Sequence, residues 1–224
     1  MLVTIDGPAG AGKSSVARAL AARLGFGFLD TGAMYRAVAL AALRRGLPWD
    51  RPELLAELAR QVTIRLAGDR VFLDGEDVSE AIRSPEATAV TRHAADNPQV
   101  RDHLVRLQRE AAAGRDLVTE GRDQGSVAFP HAECKIFLTA SRLTRAQRRR
   151  RDFLAQGNDV PLEQVLVDID RRDAEDAARP VGPLVHPADA VEVCTDGLSV
   201  EQTVDRVEAI VRAQMGGVGW GKHE

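Results

Sequence analysis

The sequence predicts an α/β protein: a five-stranded parallel core sheet flanked by helices, with an antiparallel hairpin-containing insertion and a short helical lid. Three observations carry this. Five short, apolar, β-branched-rich stretches recur along the chain, and helical patterns separate them. Between the second and third stretches that rhythm breaks into alternating strands punctuated by turn residues.

The five stretches are residues 2–6, 26–30, 116–120, 133–139 and 190–194. Each is nearly continuous in apolar character, as strands buried on both faces of a parallel sheet are. Helical periodicity covers residues 14–24, 33–45, 97–113, 144–156 and 199–213. Strand alternating with helix implies βαβ units with right-handed crossovers. The break is residues 62–79, where two alternating strands flank Ala67-Gly68-Asp69 and Asp74-Gly75 marks a second turn. The core is therefore expected over residues 1–47 and 98–224, and the insertion over 48–97. Within the core, residues 142–158 are arginine-rich and end in Gln156-Gly157-Asn158, which predicts a helical lid. The glycine-rich tail, residues 216–224, is expected to be disordered.

A formal net charge of −3 offers no global basic field, so nucleic acid and anionic membranes are not expected partners. Any anion must be met by local arginines. The two cysteines, Cys134 and Cys194, lack CxxC spacing and read as small buried hydrophobes in strands. No secretory leader and no bilayer-length apolar run is present, which predicts a cytoplasmic protein; a monomer is the default.

Gly7-Pro8-Ala9-Gly10-Ala11-Gly12-Lys13-Ser14 fits G-x-x-x-x-G-K-[ST] and lies between a strand and a helix, as a P-loop requires. Glycines let backbone N–H groups turn in around a polyphosphate, and the helix start adds the positive end of its dipole. Lys13 supplies a point charge to the β/γ-phosphates, Ser14 can hold Mg²⁺ directly or through water, and Ser15 closes the ATP-binding run. The fold class is thus that of P-loop NTPases. A GTPase would need a base-reading N-K-x-D, which is absent, and a mechanical ATPase would be larger.

The second stretch ends in Asp30-Thr31-Gly32-Ala33-Met34-Tyr35-Arg36 and the third in Glu120-Gly121-Arg122-Asp123-Gln124-Gly125. Carboxyl ends of strands in an open parallel sheet border the ligand crevice. Thr31 is placed to cap the following helix, with Tyr35 and Arg36 on its first turns. Arg172, Asp176 and Arg179 recur at i, i+4 and i+7, one helix face.

Taken together, TIDGPAGAGKS, LDTGAMYR, LDGEDVSEAIR, NPQVR, EGRDQG, KIFLTAS and RRD-AED-AAR resemble the bacterial cytidylate kinases over residues 1–213. The resemblance implies transfer of the γ-phosphoryl group of ATP to CMP or dCMP, with Mg²⁺. It implies that Arg36, Arg122 and Arg172 hold the acceptor phosphate, with Lys13 on the donor. Arg101, Asp123 and Arg179 would read the base, Asp176 would reach the ribose, and Thr31 and Tyr35 would line the pocket. Lid arginines, from Arg145, Arg148 and Arg149, would meet the transferring group. One departure stands out: where relatives often carry a base-contacting serine, this chain has Arg92 beside Thr91. Glu175 also stands where many relatives are basic. The competing readings are a kinase for UMP, AMP, shikimate or dephospho-coenzyme A, or a regulatory P-loop switch.

Overall fold

The computed structural model describes residues 1–155 and 157–217. In chain order the elements are β1 (Leu2–Asp6), α1 (Lys13–Leu24), β2 (Gly27–Asp30), α2 (Thr31–Arg44), α3 (Pro52–Gln61), β3 (Ile64–Ala67), β4 (Arg70–Leu73), β5 (Glu76–Asp77), α4 (Pro85–Ala95), α5 (Pro98–Ala112), β6 (Leu117–Glu120), β7 (Cys134–Thr139), α6 (Arg142–Ala155), α7 (Leu162–Ala177), β8 (Val191–Cys194) and α8 (Val200–Gly217). The chain packs as two compact units, residues 1–28 with 115 onward, and Leu29–Gly114. The second unit contains the whole of the 48–97 segment.

The five-stranded sheet has the order β2-β6-β1-β7-β8. Strand β1 pairs in parallel with β6 and β7, setting Val3 opposite Val118 and Cys134, and β7 pairs in parallel with β8. Being central, β1 is buried on both faces: Val3, Thr4 and Ile5 have no exposed surface. Val3 and Ile5 share a core with Val16 and Leu20 of α1, Ile136 and Leu138 of β7, and Val204, Val207 and Val211 of α8. The valines of α8 recur at three- and four-residue spacing, so one stripe of that helix faces the sheet.

The two end strands depart from the expected double-sided burial. In β8 only Val193 is buried, and Cys194 is exposed while Cys134 is buried. A strand at the end of the sheet has one neighbour, and residues on its uncovered face meet water. Burial pushes the Cys134 thiol up to about 12, so it is an inert core residue. Helix α7 begins at Leu162, well before the charged run that signalled it, because Val165 and Ile169 pack on Ala146 of α6. It ends at Ala177, so Arg179 stands just beyond the helix. Helix α8 continues through Gly216 and Gly217, the first residues of the tail expected to be disordered. The rest of that tail, and Gln156, lie outside the described residues. Among the described residues, no helix is long and apolar enough to cross a membrane.

The second unit holds a three-stranded antiparallel sheet, β3-β4-β5, in which Ile64 faces Leu73 and Phe72 faces Asp77. Asp74 and Gly75 both have positive φ, 51° and 90°, the backbone of a two-residue turn between strands. The Asp74 carboxylate accepts from the Thr63 N–H at 2.7 Å, which locks that turn. Two helices of this unit, α3 and α4, were not expected. Both start on proline, and Ser84 caps α4 by accepting from the Ala87 N–H. Helix α3 buries Leu55 and Leu58, and α4 buries little beyond alanines, which weakens its sequence signal.

Candidate active site

The P-loop leaves the carboxyl end of β1 and turns into α1 at Lys13. Gly10 and Gly12 take φ of 81° and 92°, values that side chains resist. The Lys13 ammonium donates to the Pro8 carbonyl at 2.9 Å. Burial pushes Lys13 down to about 7; Arg122 adds to this, and Glu120, Asp6 and Asp176 oppose it. The Ser14 hydroxyl donates to Glu120 at 2.8 Å. Just upstream, the buried Asp6 carboxylate accepts from the N–H groups of Gln124 (2.9 Å) and Gly125 (2.7 Å). Burial raises its pKa to about 6 against those two bonds. Asp6 therefore clasps the turn after β6 to the end of β1. Asp6 was absent from the sequence-based site; its only signal was a carboxylate ending an apolar strand.

Lys13 has a stability consequence with a definite sign. Its folded pKa lies below the unfolded value, so from about pH 7 to about pH 10 the unfolded chain binds more protons and stability rises with pH. At pH 7 and below, the full cost of burying the ammonium is present. Lys13→Met is therefore expected to stabilise the ligand-free protein by about 2 kcal/mol at pH 6.5, with the gain shrinking toward pH 10. Urea unfolding of both proteins at the two pH values checks this; a constant difference would refute it.

Beyond β6, Arg122 donates through Nε to Asp176 at 2.6 Å and through Nη1 to the Gly121 carbonyl. Arg179 pairs with the other Asp176 oxygen at 2.6 Å, so the contact expected of a helix face is made across the helix end. Burial pushes Asp176 up, but Arg122 and Arg179 outweigh it and hold the carboxyl below its ordinary range. Arg172 is pushed down, first by burial and then by Arg149 and Arg122. Asp123 is buried in the same turn. Lys13, Arg122, Arg149 and Arg172 thus crowd their charges together, an arrangement that an anion relieves.

The three lid arginines differ. Arg145 is buried, and its guanidinium is committed to Asp173 (3.0 and 2.6 Å) and to the Ala9 and Ala140 carbonyls. Arg148 binds the Thr195 hydroxyl and carbonyl. Arg149 lies over the Phe153 ring, 4.9 Å from its centroid.

In the second unit, Asp30 rather than Thr31 caps α2, accepting from the Ala33 N–H at 2.8 Å; Thr31 is the first helical residue and is buried. The same carboxylate holds Arg36 at 3.2 Å and Arg83 at 3.9 Å. Asp30 has the better cap because its backbone is still extended when its side chain reaches back. Arg101 is buried on α5, donates to the Ala95 carbonyl at 3.0 Å, and lies 5.4 Å from the Tyr35 ring centroid. The Thr91 hydroxyl donates to the Ala87 carbonyl of its own helix at 2.7 Å. Glu175 pairs with Arg171.

The family model for cytidylate kinase matches residues 3–213. The chain is 50% identical over 212 residues to the cytidylate kinase of Rhodopirellula baltica, covering 95% of this chain and 93% of that one. It is 46% identical over 210 residues to that of Caldanaerobacter subterraneus subsp. tengcongensis, covering 94% of each. Among solved structures, a gluconokinase from Sinorhizobium meliloti shares the fold at TM-score 0.50 and 17% identity, over 96% of this chain and 94% of that one. With the P-loop, the arginine cluster around Asp176 and a match over nearly the whole chain, this protein belongs to the cytidylate kinase family.

Proposed function

We propose that the protein transfers the γ-phosphoryl group of ATP to CMP or dCMP, giving ADP and CDP or dCDP. The observation that carries this is the crowding of Lys13, Arg122, Arg149 and Arg172 beside a P-loop, since two polyanions must be brought together and neutralised. Relatives named cytidylate kinase, similar over nearly their whole length, supply the acceptor.

The residues of Gly7–Ser15 cradle the ATP phosphates, with Lys13 on the β/γ-oxygens. Arg36, Arg122 and Arg172 hold the acceptor phosphate, and Arg149 is the lid arginine that meets the transferring group. Thr31 and Tyr35 line the nucleoside pocket, and Asp176 binds the ribose. The 48–97 segment serves as the monophosphate-binding insertion, and residues 142–158 serve as the lid. No side-chain nucleophile is needed, because the acceptor phosphate attacks directly. The arginines position both groups, and closure of the lid excludes water that would otherwise hydrolyse ATP.

Magnesium fits the donors present. Ser14 and Glu120 offer hard oxygens 2.8 Å apart, and no cage of three or more acidic, histidine or cysteine side chains exists among the described residues. Mg²⁺ held mainly by phosphates and water needs no more than this. Ser14 would hold it, directly or through water, and the ion supplies neutralisation of the β- and γ-oxygens. Nothing in the reading calls for a membrane, a nucleic acid or a second subunit, since both substrates are small nucleotides and one chain supplies every residue named. Two free thiols suit a reducing cytoplasm.

Base choice follows from donor and acceptor patterns. Asp123 accepts from the cytosine amino group, and Arg101 and Arg179 donate to its acceptors. Uracil reverses two of these atoms and leaves buried polar groups unpaired, so kcat/KM for CMP is expected to exceed that for UMP by about 10²-fold or more. ADP release with ATP·Mg²⁺ and CMP, dCMP, UMP or AMP tests this. Equal rates with CMP and UMP would sink the base assignment. Preference for AMP would overturn the acceptor, and the absence of any ATP turnover that depends on an added monophosphate would favour a switch.

A further inference from the structure

The arginine-rich helix α6 lies against the P-loop. Its first turns grip the outside of the P-loop. Arg145 Nη1 donates to the Ala9 carbonyl at 3.2 Å. Arg148 Nη1 reaches the Ala11 carbonyl at 3.4 Å, where the Thr195 hydroxyl also lies at 3.4 Å. The contact is close: a Cβ on Gly10 would lie 3.1 Å from the Arg145 Cβ. These two carbonyls alternate along the loop, and each precedes a glycine of left-handed φ, Gly10 and Gly12.

A trans peptide is planar, and its C=O and N–H point in opposite directions. The chain has no cis peptide bonds among the described residues. Fixing the Ala9 carbonyl toward Arg145 therefore turns the Gly10 N–H the other way, and fixing the Ala11 carbonyl does the same for Gly12. Without such anchors, glycine-flanked peptides can rotate and present a carbonyl where a phosphate needs a donor.

We infer that Arg145 and Arg148 are positioning residues that hold the Ala9 and Ala11 carbonyls outward and so aim the Gly10 and Gly12 N–H groups at the phosphates. Asp173 completes the device. It takes both ends of the Arg145 fork, at 3.0 and 2.6 Å, and fixes the guanidinium that fixes Ala9. The partners of Arg148 are the Thr195 hydroxyl (2.9 Å) and carbonyl (2.8 Å) at the end of β8. Only Arg149, of the three, is left to face the ligand. Asp173 directly follows Arg172 on α7, so the pair also ties the loop to the helix that carries the acceptor-side charges.

This inference rests on the P-loop binding the phosphates of ATP, and the test separates the two. The probe is inorganic tripolyphosphate, which presents phosphates without a base or sugar, titrated calorimetrically against the full chain. Asp173→Asn is the decisive variant. It removes a negative charge, so a simple field effect would tighten tripolyphosphate; loss of positioning is expected to weaken it about tenfold. Arg145→Lys and Arg148→Lys keep the charge but not the fork, and are expected to weaken it by a similar factor. KM for ATP should rise in step while KM for CMP stays within about twofold. Arg212→Ala, which breaks an exposed ion pair to Glu208 on α8, should change neither. Thermal unfolding reports whether each variant is folded, and if Arg145→Lys is not, Asp173→Asn and Arg148→Lys carry the result. Wild-type affinity in Asp173→Asn and in both lysine variants would overturn the inference. Failure of the wild-type protein to bind tripolyphosphate would overturn the phosphate assignment itself.

Discussion

Arg122→Met is expected to lower kcat/KM for CMP by about 10³-fold with the fold intact. The side chain is a quarter exposed, so its loss opens no large cavity in the core. Its charge is what matters. It sits near enough to Lys13 and Arg172 to push both down, a cost that a bound anion would relieve. Its Nε is spent on Asp176 and its Nη1 on the Gly121 carbonyl, which leaves Nη2 to donate to a phosphate oxygen. Arg122→Lys keeps the charge but cannot hold Asp176 and a phosphate together, and is expected to recover less than about tenfold of the loss. Steady-state kinetics with ATP saturating and CMP varied, beside thermal unfolding of each variant, measure both quantities. An Arg122→Met enzyme within tenfold of wild type would remove this residue from the acceptor site.

Gly7→Ala is expected to destabilise the protein by more than about 4 kcal/mol and to abolish activity. A Cβ at residue 7 would lie 2.1 Å from the Leu138 carbonyl oxygen and 3.1 Å from its carbon. Those atoms are backbone of β7, held in register with β1 and β8, so they cannot swing aside as a side chain could. The residue's φ of 146° adds strain of its own. Gly68→Ala is the matched control: its φ is also positive, but nothing lies within 4 Å of the added carbon, and its cost should be only about 1 kcal/mol. Chemical unfolding of the two variants tests the comparison. Similar losses would mean that backbone preference alone, and not the approach to Leu138, excludes a side chain at residue 7.

Much of this molecule is legible in its sequence because its signals are local. The strand β1 was located to the residue, since Leu2–Asp6 is an apolar run closed by a glycine-rich turn. The P-loop and the Asp74-Gly75 turn were visible because glycine is required where φ is positive. Helix α3 is marked by Pro52 and by the spacing of Leu54, Leu55 and Leu58, but it is only ten residues long and adjoins a hairpin whose turn residues give a stronger local signal. Helix α4 offers mostly alanine to its neighbours and has a weaker stripe. What the sequence hides are partners defined by tertiary folding. Arg145 and Arg148 look alike in a run of arginines, yet their acceptors include backbone carbonyls 136 and 137 residues away. No periodicity reports a carbonyl. Asp30 illustrates the same limit at short range: Thr31 is also a capping type, though a weaker one, and the backbone angles settle which of the two caps the helix.

The clasp made by Asp6 has a consequence for recombination among relatives. It joins residue 6 to residues 124 and 125, so the amino-terminal strand and the segment after β6 form one block despite a sequence separation of 118. A chimera that exchanges the first 30 residues inherits a carboxylate fitted to another parent's turn. One that exchanges that stretch together with residues 117–128 keeps donor and acceptor from the same parent. Crossovers placed around such paired blocks, rather than at even intervals along the chain, preserve the geometry on which the phosphate loop depends.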